Sequence, residues 1–221
     1  KYAVFPARLI AQSPLPMGFL PPITKRKAFT YLYPDEELAL LGCTEIPLVW
    51  RLLYGFLSRE GLRVGEAKVL EWSDIDLRRG ALNLDKNKTD DPRMWALNPG
   101  THEALRRWRK IAPSQQWLFA YPDGKDIRAG GRADKMRKYL KIAGMRRPQL
   151  SERTAERRPL RIHDFRATFV TVALAQGRNE RWVADRTGHR SSDQIATYSR
   201  IARTHAELNL GELVSLAEGI P

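Results

Sequence analysis

An apolar series at helical spacing dominates the stretch between Pro47 and Gly61. Leucine, valine and phenylalanine recur there at intervals of three and four residues, at positions 48, 49, 52, 53, 56 and 57. This spacing places them on one face of a helix, and glycine commonly follows a helix end. We therefore predict a core helix here. At 221 residues the chain is long enough to bury such a core in one domain.

Helical patterns recur on both sides of this segment. They combine apolar periodicity with start and stop signals such as an N-terminal Pro or a C-terminal Gly. The further predicted helices cover Pro34–Leu41, Val64–Trp72, Thr101–Ile111, Arg132–Ala143, His163–Gln176, Glu180–Arg186, Ser192–Arg200 and Ala206–Ala217. An arginine-rich stretch from Arg146 to Pro159 is polar and is predicted to be a loop.

Two short segments in the middle of the chain have the character of strands. Ala81–Leu84 and Met94–Leu97 are separated by a polar turn from Asn87 to Asp91, which fits a β-hairpin. Trp117–Phe119 is expected to add a third short strand. The predicted fold class is therefore α+β, mainly α-helical with a small three-stranded antiparallel sheet.

We expect three parts along the chain. Residues 1–33 contain four prolines between positions 14 and 22 and are predicted to be an extended lead-in or interdomain linker. Residues 34–203 form the predicted main domain, and residues 204–221 a tail helix. The start at Lys1 suggests an excised fragment. The single cysteine, Cys43, and the lack of a long apolar run or leader favour a soluble, cytoplasmic protein.

The chain has a formal net charge of +13, concentrated in its second half. Residues 125–204 hold 20 of the 38 Lys and Arg but 8 of the 25 Asp and Glu. Such a surplus attracts polyanions. DNA, RNA and anionic membranes all fit, and charge alone does not choose among them.

Two candidate cations lie in the first half of the chain, and each has an ordinary alternative role. Arg63 follows the core helix and can form a surface ion pair with Glu66, three residues further on. Lys88 lies in the turn of the predicted hairpin, where a lysine can reach outward or simply be solvated. Neither residue indicates chemistry by itself.

Two more segments follow in the second half. His163 and Arg166 lie near a helix N-terminus, where free backbone N–H groups and two cations suit an anion, although coincidence explains the pair equally well. His189, after Gly188, is followed nine residues later by Tyr198. Taken alone, Tyr198 can equally be a half-buried aromatic.

In this order the segments resemble the active-site pattern of the tyrosine recombinase or phage integrase family. That pattern is an Arg in Gly-Leu-Arg, a hairpin Lys, His-x-x-Arg, Gly-His, and a Tyr nine residues after that His. The matching residues here are Arg63, Lys88, His163, Arg166, His189 and Tyr198. The resemblance covers about Pro34 to Arg203, and Trp72–Asp76 and Arg93 are similar to flanking family sequence.

The resemblance implies a site-specific recombinase that cleaves and rejoins DNA through a covalent 3′-phosphotyrosine, without metal, ATP or cofactor, in integration or excision. Tyr198 would be the nucleophile. Lys88 would protonate the leaving 5′-hydroxyl, and Glu66 would support the first motif. The implied fold is that of the family's catalytic domain.

The residue types suit phosphoryl transfer independently of the family. Arg63 and Arg166 can offer planar forks to the nonbridging oxygens, where negative charge builds up. His163 and His189 can donate hydrogen bonds or move a proton. A tyrosine is barely ionised at neutral pH, and nearby cations are expected to favour the anion of Tyr198.

The implied partners are double-stranded DNA and further copies of the chain, as a tetramer on DNA docked through residues 204–221. No membrane or small-molecule partner is expected. Family members usually carry a helical DNA-binding domain before the catalytic one, and nothing similar precedes Pro34. Two alternatives remain: a type IB topoisomerase-like enzyme that nicks and reseals one strand, and a non-catalytic DNA-binding relative.

Overall fold

The structure, a computed structural model, describes residues 7–9, 11, 19, 27–85, 92–128, 133–189 and 192–220. Its central element is the predicted core helix, α2 (Leu48–Glu60). This helix packs against α1 (Pro34–Gly42) and α7 (Asp164–Ala175). Nearly every residue of α2 is buried, whereas the sequence pattern had indicated one apolar face.

Polar side chains explain how α2 can be buried all round. Arg59, on α2, donates to both carboxylate oxygens of Glu37 on α1, with the shorter bond at 2.6 Å. Arg51 donates to the backbone oxygens of Leu41 and Ile46. Buried charges are tolerated where such partners compensate for lost hydration. The arginines of α2 thus tie the core helix to its neighbours.

Most of the other predicted helices are present with adjusted bounds: α3 (Val64–Ala67), α4 (Pro99–Ile111), α5 (Ala133–Ile142), α8 (Glu180–Thr187) and α9 (Ser192–Glu207). A further short helix, α6 (Pro148–Ser151), was not predicted. Asn98 caps α4 through its side-chain oxygen, so this helix begins before the predicted start at Thr101. The short α6 lies within the stretch that was predicted to be a loop.

The sheet has three antiparallel strands, but the third strand differs from the prediction. The order is β1 (Ile75–Asp76), β2 (Ala81–Leu84) and β3 (Arg93–Ala96). Trp117–Phe119 is not in the sheet. Trp117 instead forms an isolated bridge with Glu71.

The same contacts explain why the helix predicted over Val64–Trp72 stops at Ala67. Leu118 N donates to Leu70 O, and Trp72 N donates to Gln116 O. These backbone bonds to a distant segment replace the helical bonds that residues 70 and 72 would otherwise form. The prediction of one continuous helix there was wrong beyond Ala67.

The C-terminal part also differs from the prediction. Residues 204–221 were expected to form a tail helix, but α9 continues to Glu207 and the chain then runs without a helix to α10 (Leu216–Gly219). Leu216 is fully buried, and α10 packs on α4 and also contacts α1 and α2. Leu216 and Ala217 in the tail therefore cover the chain's own core.

Residues just before α1 also belong to this core. Leu32 is fully buried and its backbone N–H donates to Thr168 Oγ1 on α7. Arg147, in the arginine-rich stretch, donates to both carboxylate oxygens of Glu36 and stacks on the Tyr33 ring at 3.9 Å.

Within the described residues, no helix has the length and apolar character that a membrane crossing requires.

Gly61 ends α2 in a left-handed conformation, with φ of +71°, and a Cβ there would lie 2.4 Å from the Phe169 ring. We expect Gly61→Ala to destabilise the protein by about 2 to 4 kcal/mol, because backbone strain and a clash in the core add together. Gly42→Ala is the control, since a Cβ there meets nothing within 4 Å. Urea unfolding measures both, and equal stabilities would contradict this account of Gly61.

Candidate active site

Arg166 is the most buried cation of the candidate site. It lies in the first turn of α7 and is 3% exposed. Its Nη1 donates to Gly61 O at 2.8 Å, and its Nη2 donates to Thr187 O at 2.6 Å. These carbonyls belong to the C-terminal ends of α2 and α8, where helix dipoles favour positive charge. Two helix ends thus hold the guanidinium in place.

The surroundings of Arg166 lower its pKa without discharging it. Burial is the main cause, and repulsion from Arg63 adds to it, whereas Glu66 and Tyr198 act in the opposite direction. The resulting pKa of about 10 keeps Arg166 protonated at neutral pH. A positive charge is therefore fixed beneath the site in a poorly solvated position.

His189 contacts Arg166 and is held in a defined tautomer. Arg166 Nη2 lies 3.2 Å from His189 Nε2, and the Thr187 hydroxyl lies 2.9 Å from His189 Nδ1. Since an arginine can only donate, Nε2 accepts. Thr187 Oγ1 donates to Val183 O at 2.7 Å, so the ring proton on Nδ1 is the one that points to Thr187.

His189 is neutral in this arrangement. Burial lowers its pKa to about 4, and the charges of Arg166, Arg63, His163 and Arg93 act in the same direction. Its Nε2 lone pair accepts the hydrogen bond from Arg166 Nη2. Of the two roles expected for the histidines, donating a hydrogen bond or moving a proton, His189 in this state fits the second only if its bond to Arg166 opens, because both ring nitrogens already have partners.

Arg63 occupies the N-cap position of α3 and is held by Glu66. Arg63 Nη1 donates to Glu66 Oε1 at 2.7 Å, and Arg63 N donates to Glu66 Oε2 at 2.9 Å. Arg63 Nη2 also approaches Gly188 O at 3.4 Å. The ion pair expected from the sequence is thus present, and it orients Arg63 toward the turn that carries His189.

Burial alone would raise the pKa of Glu66, but hydrogen bonds from Arg63 and the charges of Arg93 and Arg63 outweigh this effect. The net pKa is lowered. Glu66 is therefore an anion at neutral pH. It lies among the cations Arg63, Arg93 and Arg166, so this part of the site keeps an excess of positive charge.

Tyr198 lies on α9 and faces the same site within one subunit. Its ring centroid is 6.1 Å from that of His189 and 4.8 Å from that of Phe29. The side chain is half-buried against an apolar cluster that includes Phe169 and Ile195. The alternative of a half-buried aromatic is thus correct as a description of packing, and the ring is also beside the cations.

The protonation of Tyr198 differs from the expectation. Burial raises its pKa and Asp164 acts in the same direction, while Arg166, Arg158 and Arg161 lower it, and the net direction is upward. The cations oppose the effect of burial without overcoming it. In this state Tyr198 is a neutral phenol, and it would need a base to take its proton before it could act as a nucleophile.

His163 begins α7 beside this group, with an exposed side chain. Partial burial and the charge of Arg166 lower its pKa, although Asp164 opposes them. Asp164 itself is buried, and its carboxylate accepts hydrogen bonds from Arg161 N at 2.8 Å and Arg161 Nη2 at 3.0 Å. His163 is therefore a second neutral base at the edge of the site.

The structure brings together Arg63, Glu66, Arg166, His189 and Tyr198, with His163 adjacent. Lys88 lies outside the described residues, and its role stays a prediction. Among the described residues, no three His, Cys, Asp or Glu side chains are grouped closely enough to hold a metal ion.

Sequence reasoning missed two residues of this group. Thr187 fixes the His189 tautomer, and no sequence signal indicated it. Arg93 had been noted only as flanking sequence, yet it is buried and contacts Glu66. The sequence could have indicated that Arg93 is buried, because alternation along β3 places Arg93 on the same inward face as Trp95.

Comparison with known proteins places the chain in a family. A model of the phage integrase family matches residues 30–205. The integrase of Salmonella phage P22 is 25% identical over 83% of this chain and 47% of its own length. Tyrosine recombinase XerC of Xanthomonas axonopodis pv. citri is 28% identical over 83% of this chain and 58% of its own length.

Solved structures share the fold. The crystal structure of XerA recombinase superposes with a TM-score of 0.61 at 21% identity, over 88% of this chain and 69% of that one. A lambda integrase tetramer bound to a Holliday junction gives a TM-score of 0.64 at 18% identity, over 80% of this chain and 50% of that one. A protein of Sinorhizobium fredii named as an integrase/recombinase, y4qK, is 28% identical, and the chain spans 58% of its length. The model of the phage integrase family matches residues 30–205, which is most of this chain, and the chain therefore belongs to that family.

Proposed function

We propose that residues 34–203 form the catalytic domain of a site-specific DNA recombinase that cleaves and rejoins strands through a 3′-phosphotyrosine. One observation carries the proposal. Four segments far apart in the chain bring Arg63, Arg166, His189 and Tyr198 to one site, where the buried Arg166 is protonated and Tyr198 is a neutral phenol. A site with fixed cations and a nucleophile suits the attack of an alcohol on a phosphodiester.

In the proposed step, the Tyr198 oxygen bonds to phosphorus and the bond from phosphorus to the 5′-oxygen breaks. The phenol proton passes to a neutral histidine, either His163 or, once its bond to Arg166 Nη2 opens, His189. Arg63 and Arg166 stabilise the charge on the nonbridging oxygens. The departing 5′-oxygen takes a proton, which the resemblance assigns to Lys88. Because the phosphodiester energy is kept in the new bond, a 5′-hydroxyl of another strand can reverse the step without ATP.

Double-stranded DNA is the proposed partner. The net charge of +13 and the excess of arginine at the site both favour a polyanion. An open cavity of about 390 Å³ lies on one side of His189 and is lined also by Arg93 and Met94. Membership of the phage integrase family favours DNA over RNA or a membrane, and a recombinase over a type IB topoisomerase.

A covalent capture experiment tests the proposed function. The chain is incubated, with EDTA present, with a pool of nicked duplexes that carry a randomised central segment, and a denaturing wash retains only DNA bound covalently. We expect recovered DNA to share a sequence motif and to be linked through its 3′ end. The released strand should accept label from polynucleotide kinase directly, because its 5′ end is a free hydroxyl.

Other outcomes identify the alternatives. Relaxation of supercoiled plasmid together with capture of DNA that shares no motif would support the topoisomerase-like enzyme. DNA binding without any covalent product would support the non-catalytic relative. Linkage through a 5′-phosphate would overturn the proposed chemistry.

We also propose that the C-terminal segment joins subunits on DNA. In the structure Leu216 fills a groove of its own domain, where a Cβ at Gly55 would come within 2.1 Å of it, and Arg107 donates to Ala217 O at 2.9 Å. The groove, lined by Leu48, Leu52 and Trp108, could accept the same segment from a neighbouring copy.

Deletion of residues 208–221 tests the role of the tail. We expect the truncated chain to lose higher-order complexes on a captured duplex, in a native gel, while still binding as a single copy. Val69→Ala is the control, since this valine is 42% exposed and lies outside the tail. Unchanged assembly by a folded truncated chain would refute the proposal.

A further inference from the structure

Arg93 is buried at the junction of three elements of the site. It lies at the start of β3 with 9% exposure. Its Nη2 donates to Glu66 Oε1 on α3 at 3.0 Å, and its Nη1 donates to Arg186 O at the end of α8 at 2.6 Å. One guanidinium therefore links the sheet, the helix that follows Arg63, and the turn that leads to His189.

Glu66 Oε1 is shared between two arginines. It accepts from Arg63 Nη1 at 2.7 Å and from Arg93 Nη2 at 3.0 Å. A carboxylate oxygen can accept both bonds at once, so Arg93 and Arg63 hold Glu66 from two sides. Without Arg93, Glu66 would keep its bonds to Arg63 but lose the contact that fixes its carboxylate against β3.

Arg93 also determines the shape of the turn after α8. Gly188 adopts a φ of +64°, and a Cβ at this position would lie 3.0 Å from Arg93 Nη1. The guanidinium therefore packs directly against the residue before His189. Because Arg93 also binds Arg186 O, it contacts this turn on both sides of Thr187, which fixes the His189 tautomer.

We propose that Arg93 is a positioning residue that holds Glu66 and the 186–188 turn so that Arg63 and His189 act on the same phosphate. The inference rests on the proposed recombinase function and deepens it. Arg93 is not proposed to contact DNA. A lysine cannot replace it, because one ammonium at the end of a flexible chain lacks the planar fork that spans Glu66 Oε1 and Arg186 O.

Arg93→Lys is the main test variant, since it keeps the charge and removes the fork. On a single nicked duplex recovered by covalent capture, we expect its single-turnover cleavage rate to fall by about ten- to a hundredfold, as for a misplaced catalytic group. DNA affinity should stay within about twofold of the parent. Arg79→Lys is the matched control, because Arg79 also pairs with an acid, Asp76, but its side chain is 67% exposed.

A second substrate separates positioning from general damage. A methylphosphonate at the cleaved position lacks one nonbridging charge, so it depends less on the arginine clamp. We expect the rate deficit of Arg93→Lys to become clearly smaller on this substrate, with the part that comes from His189 remaining. An equal deficit on both substrates would mean that the substitution disturbs the fold, and it would overturn the positioning role.

A double-mutant cycle with Glu66→Gln adds a test that does not depend on one variant. If Arg93 acts through Glu66, the two substitutions together should cost clearly less than the product of their separate effects. Independent effects, or a cleavage rate of Arg93→Lys equal to that of the parent, would overturn the proposal for Arg93 alone. Failure of the parent to form any Tyr198-dependent covalent product would instead overturn the proposed function, and the role of Arg93 with it.

Discussion

Tyr198→Phe should abolish covalent capture of DNA, with a drop of at least about a thousandfold in the yield of protein–DNA adduct. The substitution removes one oxygen and keeps the ring, which packs against Phe29 and the apolar cluster around Phe169. We therefore expect an unchanged melting temperature and near-parental DNA binding. Denaturing gels with end-labelled nicked duplex measure the adduct directly.

Tyr33→Phe provides the matched control for this result. Tyr33 is also half-buried and packs its ring against a charged side chain, Arg147, at the start of α1. Its variant should form adduct at the parental rate. Adduct formation by Tyr198→Phe at the parental rate would show that another residue is the nucleophile and would overturn the central chemical assignment.

Arg166→Ala should give the second-largest loss, a fall in cleavage rate on the order of 10² to 10³. The variant removes a charge that is held beside Tyr198 and His189 by Gly61 O and Thr187 O. Single-turnover cleavage of a captured duplex measures the rate. DNA affinity should fall much less, since a 3% exposed side chain contributes little to the outer binding surface.

Two further variants make this prediction specific. Arg166→Lys keeps the charge but cannot bind both carbonyls in the same plane, so we expect it to remain strongly impaired. Arg106→Ala removes one positive charge from an exposed position on α4 and should cleave at the parental rate. Parental activity in Arg166→Ala would rule out its role in stabilising the reacting phosphate.

The sequence predicted those parts of the fold whose burial follows a local period. The apolar series in α2, the hairpin strands β2 and β3, and the glycine after α2 were all identified correctly. The third strand and the end of α3 were not. They depend on backbone bonds between residues 70–72 and 116–118, and such distant pairing leaves no local period in the sequence.

For the candidate site, too, the sequence predicted features that are local in the chain and not those that depend on contacts between distant elements. The spacing of short motifs identified the side chains that the structure brings together, because each motif fixes its residues locally at a helix end or turn. It did not reveal that Glu66 is shared with Arg93, or that burial would keep Tyr198 protonated. Both depend on contacts between elements, so the raised pKa of Tyr198 and the neutral state of His189 emerge only from packing.

The end of α8 holds two arginines through consecutive carbonyl groups. Arg186 O binds Arg93, and Thr187 O binds Arg166. Because these oxygens are separated by a single peptide unit, rotation of that unit would disturb both guanidinium groups together. Local melting of the last turn of α8 would thus make the site incompetent as a whole, so readiness for cleavage should be cooperative and not graded.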